Sequence, residues 1–208
     1  MSGFITFEGG EGAGKSTQIL LLAEHLRARG VDVLTTREPD GSPGAEMIRK
    51  LLVEGVADAW DGTTEALLMF AARRDHLVRT IQPALRRGQW VISDRFADST
   101  RAYQGHGHGF DLGQIEALYR LAVGDFQPNL TIILDLPVET GLARAASRRG
   151  VETRYEALGI AFHRRVRDGF RQIAAAEPGR CVLVDADAPV ETVRDRITQV
   201  VAARLGVG

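Results

Sequence analysis

A single cysteine, Cys181, rules out any internal disulfide in this chain of 208 residues. Its neighbours Val182, Leu183 and Val184 place it on a buried apolar strand rather than at a reactive site. Long hydrophobic runs are missing too. Nothing approaches the ~18 consecutive apolar residues of a membrane span, and the N-terminus has neither the charged start nor the cleavage site of a secretion signal. The expected setting is the cytosol. Net charge is also lacking: 26 basic and 27 acidic residues leave −1 at neutral pH, so no global positive field draws in nucleic acid. Lysine is scarce, since Lys15 and Lys50 are the only lysines among those 26 basic residues. No cysteine or third histidine accompanies His106 and His108, so a metal cluster is not expected there. No repeat, low-complexity tract or linker interrupts the chain, which reads as one domain.

What is present begins at Gly9. The run Gly9-Gly10-Glu11-Gly12-Ala13-Gly14-Lys15-Ser16 spells G-x-x-x-x-G-K-S. An apolar run with Phe4, Ile5 and Phe7 precedes it, and a helical pattern with Ile19, Leu22 and Leu26 follows. That is the setting of a phosphate-binding loop. Glycines let successive backbone N–H groups turn inward around a polyphosphate. The helix that starts here aims its positive end at the anion. Lys15 can reach the β- and γ-phosphates, and the Ser16 hydroxyl can ligate Mg²⁺. A nicotinamide-binding loop is disfavoured, because Lys15 stands where that fingerprint wants its last glycine. One of the two lysines thus sits where a compact ammonium suits a crowded cradle better than a planar guanidinium.

Strand and helix signals alternate, which predicts an α/β fold with a parallel sheet covered by helices on both faces. Strands are expected at 4–7, 31–35, 90–93, 130–134 and 181–184. Helices are expected at 15–29, 45–53, 64–80, 114–123, 138–148, 155–176 and 190–205, with Pro83 breaking or kinking the third. Two Gly-rich stretches, 37–44 and 99–111, read as irregular loops. Both follow strands, so both are expected to line a site at the carboxyl edge of the sheet.

A second anchor is needed near Mg²⁺, and strands ending in aspartate supply it. Trp90-Val91-Ile92-Ser93-Asp94 and Ile132-Ile133-Leu134-Asp135 have the same shape, and spacing alone does not choose between them. The residues that follow Asp94 do. Asp94-Arg95-Phe96-Ala97-Asp98-Ser99-Thr100-Arg101-Ala102-Tyr103-Gln104-Gly105 resembles the D-R-[YF]-x-x-S-x-x-A-Y-Q-G segment of bacterial thymidylate kinases. Phe7 to Thr17, Thr36-Arg37-Glu38-Pro39, Phe70-Ala71-Ala72-Arg73-Arg74 and Ala161 to Val166 are similar to other segments of that family, in the same order.

The resemblance implies a P-loop NTPase fold with a five-stranded sheet and a short lid, transfer of the γ-phosphoryl of ATP to dTMP, and Mg²⁺ as cofactor. It implies a nucleotide-binding set of Gly10, Glu11, Gly12, Ala13, Gly14, Lys15, Ser16 and Thr17, with Arg144 over the adenine and Ser16 and Asp94 at the metal. It places Arg95 between acceptor phosphate and transferring group, and Arg37 near the acceptor phosphate. Phe70 is expected to stack on thymine and Arg74 to bond its edge; periodicity alone would make Phe70 a core residue. Thr100, Tyr103 and Gln104 complete the acceptor pocket, and Glu11 meets the acceptor sugar or a Mg²⁺-bound water. Arg73 reads as solvated. The P-loop holds no arginine, so the lid at 145–156 is expected to supply one: Arg149 first, Arg154 second, with Arg148 the third candidate. Asp40-Gly41-Ser42 departs from the family's G-G-T. The family is commonly homodimeric, with the apolar third helix as candidate interface. A GTP switch protein would need N-K-x-D, which the sequence lacks.

Overall fold

The computed structural model describes residues 2–53, 59–147 and 158–207. Five strands, β1 (Phe4–Gly9), β2 (Val33–Arg37), β3 (Trp90–Asp94), β4 (Leu130–Asp135) and β5 (Cys181–Asp185), form one parallel sheet in the order β2-β3-β1-β4-β5. Alternation along the strands separates two faces. Ile5 and Phe7 of β1, Ile92 of β3, and Ile132 and Leu134 of β4 pack on α1 (Lys15–Arg27) and α9 (Val190–Leu205). Phe4 and Val91 point the other way, toward Phe70 of α3 (Gly62–His76) and Ile115 of α6 (Leu112–Ala122). Ile133 meets Phe162, Val166 and Phe170 of α8 (Ile160–Ala176). Each fully buried side chain of this size contributes about 1.5–3 kcal/mol.

Register brings the chemistry to one edge. Phe7 pairs with Asp94, Arg37 with Asp94, and Gly9 with Leu134. The P-loop, Arg37, Asp94 and Asp135 therefore leave the sheet side by side at its carboxyl ends, where open α/β sheets bind ligands.

Two expectations need correction. The third helix does not break at Pro83. α3 runs into a π-helical turn (Leu77–Ile81) and on into α4 (Gln82–Arg86). The Gln82 N–H donates to Leu77 O in the wide i→i+5 pattern. Pro83 falls in the first turn of α4, where a missing N–H costs little. The stretch 99–111 is mostly helical as well: α5 (Ala97–Thr100) leads into a second π turn (Arg101–Gly107). Its glycines allow close packing rather than looseness. A Cβ at Gly107 would lie 2.6 Å from Phe162 Cε2, and one at Gly105 2.5 Å from Leu112 Cδ2. The remaining helices are α2 (Pro43–Val53) and α7 (Val138–Ala146). The late helix starts at Ile160, behind a Gly159 N-cap; residues 155–157 of its expected span lie outside the described residues.

Candidate active site

The P-loop is built by backbone packing. Gly12 has φ 67°, and a Cβ there would strike the carbonyl oxygen of Gly141 on α7. Gly141 in turn faces Glu11 O so closely that it too leaves no room for a Cβ. Lys15 curls into the loop and donates to Gly9 O at 3.0 Å and Gly10 O at 3.1 Å. Burial, then the nearby Arg95, push the Lys15 amine below its ordinary range, against the pull of Asp94, Glu11 and Glu8. The Ser16 hydroxyl donates to Asp94 Oδ2 at 3.0 Å. Asp94 Oδ1 is buried without a partner among the described residues.

The two strand-end aspartates stand in different surroundings. Asp135 is gripped by Arg167, at 2.7 and 3.0 Å, and by Arg171, at 2.8 Å. Burial would raise its pKa, but those two guanidinium partners lower it. Asp94 alone of the two faces Ser16, and a serine hydroxyl beside a carboxylate oxygen is a hard-oxygen donor set that suits Mg²⁺.

Arg95 stands next to this pair. It has φ 67°, the one non-glycine with positive φ among the described residues. Its Nη2 donates to Glu11 Oε1 at 2.9 Å and to the Tyr103 hydroxyl at 3.1 Å; its Nη1 donates to Ser99 Oγ at 3.1 Å. The guanidinium lies 4.8 Å from the Tyr103 ring centroid. Tyr103 donates to Glu11 Oε1 at 2.7 Å. Burial would raise Glu11, but Arg95, then Lys15 and the Tyr103 hydroxyl, hold it down at about 2. Pairing of Arg95 with Asp98 does not occur, because Asp98 is taken by Arg101 and Arg180.

A cleft of about 240 Å³ opens between the P-loop and the far wall. Thr100, Tyr103 and Gln104 line it as expected, with Arg37 at its rim. Arg37 pairs with Asp40 at 2.5 Å, and Asp40 also lies 3.4 Å from Arg49 Nε. The aspartate that replaces a family glycine thus ties two cleft arginines together. Ser42 turns away to Asp75 at 2.7 Å.

The base-reading pair is not where the sequence placed it. Phe70 is 3% exposed and belongs to the core with Phe4, Leu77 and Phe96. Arg74 is exposed and donates to Ala122 O at 3.1 Å. Neither lines the cleft. Met69 and Arg73 do. Arg73 is buried, not solvated: it donates to Glu38 Oε2 at 2.8 Å, Phe96 O at 3.1 Å and Thr100 Oγ1 at 3.1 Å, and sits 4.7 Å from the Phe70 ring centroid. Its Nη1 is a buried donor with no partner among the described residues. His76 steadies the same carboxylate from Nδ1 at 3.3 Å while its Nε2 meets Thr36 Oγ1 at 2.7 Å. The periodicity that marked Phe70 as core was the signal for this; Arg49 and Met69 carried none.

Gly10 lines a smaller hollow with His163 and Asp135. Thr17 and Arg144 are exposed and do not line the cleft. Arg148, Arg149 and Arg154, and the lid from residue 148 on, lie outside the described residues.

The family described as thymidylate kinase matches residues 7–197. The chain is 58% identical over 204 residues to a thymidylate kinase of Caulobacter vibrioides, covering 98% of each. It is 58% identical to one of Rhodopseudomonas palustris, over 97% of this chain and 89% of the relative. A crystal structure of thymidylate kinase from Ehrlichia chaffeensis superposes with TM-score 0.77 at 38% identity, over 96% of this chain and 98% of the other. Fold, cleft and likeness agree along nearly the whole length, and the chain belongs to the thymidylate kinase family.

Proposed function

We propose that the chain transfers the γ-phosphoryl of ATP to dTMP, giving dTDP and ADP. The observation that carries this reading is the cleft itself: Lys15 on one wall, the unpartnered Arg73 Nη1 on the other, and Arg95 between them. An acceptor phosphate oxygen attacks the γ-phosphorus and the bond to the ADP oxygen breaks. The protein's part is positioning and positive charge. Lys15 and the loop amides hold the β- and γ-phosphates. Arg95 and Arg37 hold the acceptor phosphate, and Arg149 supplies charge from the lid. Ser16 and Asp94 would hold Mg²⁺, which screens the phosphate oxygens when bound. Glu11 and Tyr103 face the sugar, so that a 2′-hydroxyl is disfavoured. Arg73, Thr100 and Gln104 read the base edge, and Met69 packs against its face.

A coupled assay with ATP, Mg²⁺ and a panel of monophosphates tests this. Fastest turnover is expected with dTMP, with its ribose counterpart well behind. Faster phosphorylation of dUMP, dCMP or dGMP would sink the substrate assignment. Met47, Leu51, Leu67 and Leu121 are exposed on the neighbouring helices α2, α3 and α6, which supports a homodimer through this face; sedimentation at micromolar concentration reads it directly.

A further inference from the structure

Glu8 is a fully buried carboxyl group on β1, immediately before the P-loop. A carboxyl group buried this completely is costly unless its oxygens are hydrogen-bonded. What the carboxyl does is visible from its partners. Oε1 accepts from the Phe96 N–H at 2.8 Å, and Oε2 lies 2.5 Å from Ser99 Oγ. Ser99 Oγ is the same atom that accepts from Arg95 Nη1.

These contacts converge on one residue. A long side chain at φ 67° is strained and persists only where its surroundings over-determine it. At Arg95 they do. Its own N–H donates to Phe7 O at 2.9 Å. Its carbonyl accepts from Ser93 Oγ at 2.8 Å. The next amide, Phe96 N, is held by Glu8, and the guanidinium is held by Ser99. Remove Glu8 and the Phe96 amide and the Ser99 hydroxyl lose their shared anchor together.

We propose that Glu8 is a positioning residue: it locks the left-handed turn at Arg95 and, through Ser99, the direction of the guanidinium. Arg95 is thereby set between P-loop and acceptor before either nucleotide arrives. The idea rests on the assignment of Arg95 to the transferring phosphate.

Steady-state kinetics of Glu8→Leu, Glu8→Gln, Ser99→Ala and Ser99→Thr test it, alongside Arg95→Lys, with folding followed by circular dichroism. Glu8→Leu should lower kcat by about a hundredfold, the scale of a 1 Å misplacement, with KM for ATP within about threefold of wild type. Glu8→Gln retains an acceptor for Phe96 N and should lose less. Ser99→Ala should lower kcat by roughly tenfold, and Ser99→Thr should restore it. In an Arg95→Ala background Ser99→Ala should lose nothing further, because the two act as a unit. The proposal is overturned if Ser99→Ala and the folded fraction of Glu8→Leu keep wild-type kcat, however far their melting temperatures fall. Should Glu8→Leu not fold, the Ser99 pair decides alone. If Arg95→Lys retains full kcat, it is the reading of Arg95 that fails.

Discussion

Arg73 and Arg74 are adjacent in the chain and about 100° apart around the helix, and that angle separates their environments. Arg73 points into the cleft, fixed by Glu38, Thr100 and the Phe70 face. Arg74 points outward to Ala122 O. Arg73→Lys keeps the charge but loses the fork that serves several acceptors at once. It is expected to lower kcat/KM for dTMP by about 10- to 100-fold, the worth of one or two buried hydrogen bonds, while Arg74→Gln stays within about twofold. Equal effects in a steady-state assay would contradict the cleft geometry. The sequence made the P-loop, Asp94 and Arg95 legible, because each occupies a fixed offset in a motif whose geometry has one solution. It did not make Arg73 legible. Two arginines in succession look alike until the helix has a core to face, and that core is built from Phe4, Phe96 and Ile115, distant in sequence.

The elements were legible where burial alternates cleanly and obscured where glycine serves packing. All five expected strands exist and run one or two residues further at the carboxyl end, because pairing continues into the residues that carry the chemistry; β2 also starts two residues later than expected. The glycines near 105–107 suggested a loop; they instead let α8 and α6 approach a π turn. α7 offers a sharper case. Gly141 lies inside a helix, where replacement by alanine ordinarily stabilises by about 0.5–1 kcal/mol. Here the methyl would press on Glu11 O and the Gly12 turn. Gly141→Ala is therefore expected to raise KM for ATP by roughly tenfold and to lower the melting temperature. A higher melting temperature with unchanged KM would show that the loop does not lean on α7.

Across the molecule, one buried cluster joins distant parts of the chain. Asp98 on α5 receives Arg180 at 2.6 and 2.9 Å and Arg101 at 2.8 Å. Arg180, just ahead of β5, also reaches Thr131 on β4 at 2.9 Å and Glu177 after α8. Burial opposes the Asp98 charge, but Arg180 and Arg101 lower its pKa below the ordinary value. A depressed carboxylate pKa gives stability that is present above the unfolded value near 3.9 and is lost as pH falls through the lower folded value. Arg180→Ala leaves Asp98 without its main partner in the interior and should cost about 3–5 kcal/mol near neutrality. Urea melts should show that gap narrowing as the pH drops below about 3.9. A gap that persists unchanged at pH 3 would place the loss elsewhere.

The scarcity of lysine gives this fold a chemical handle. Lys15 lies buried in the P-loop with its amine below the ordinary range, and Lys50 is exposed on α2. An amine-directed acylating reagent therefore meets only two side-chain targets in the whole chain, one at the phosphate cradle and one on the surface. The surface lysine serves as an internal standard, so nucleotide protection at the other can be read as a ratio within one digest.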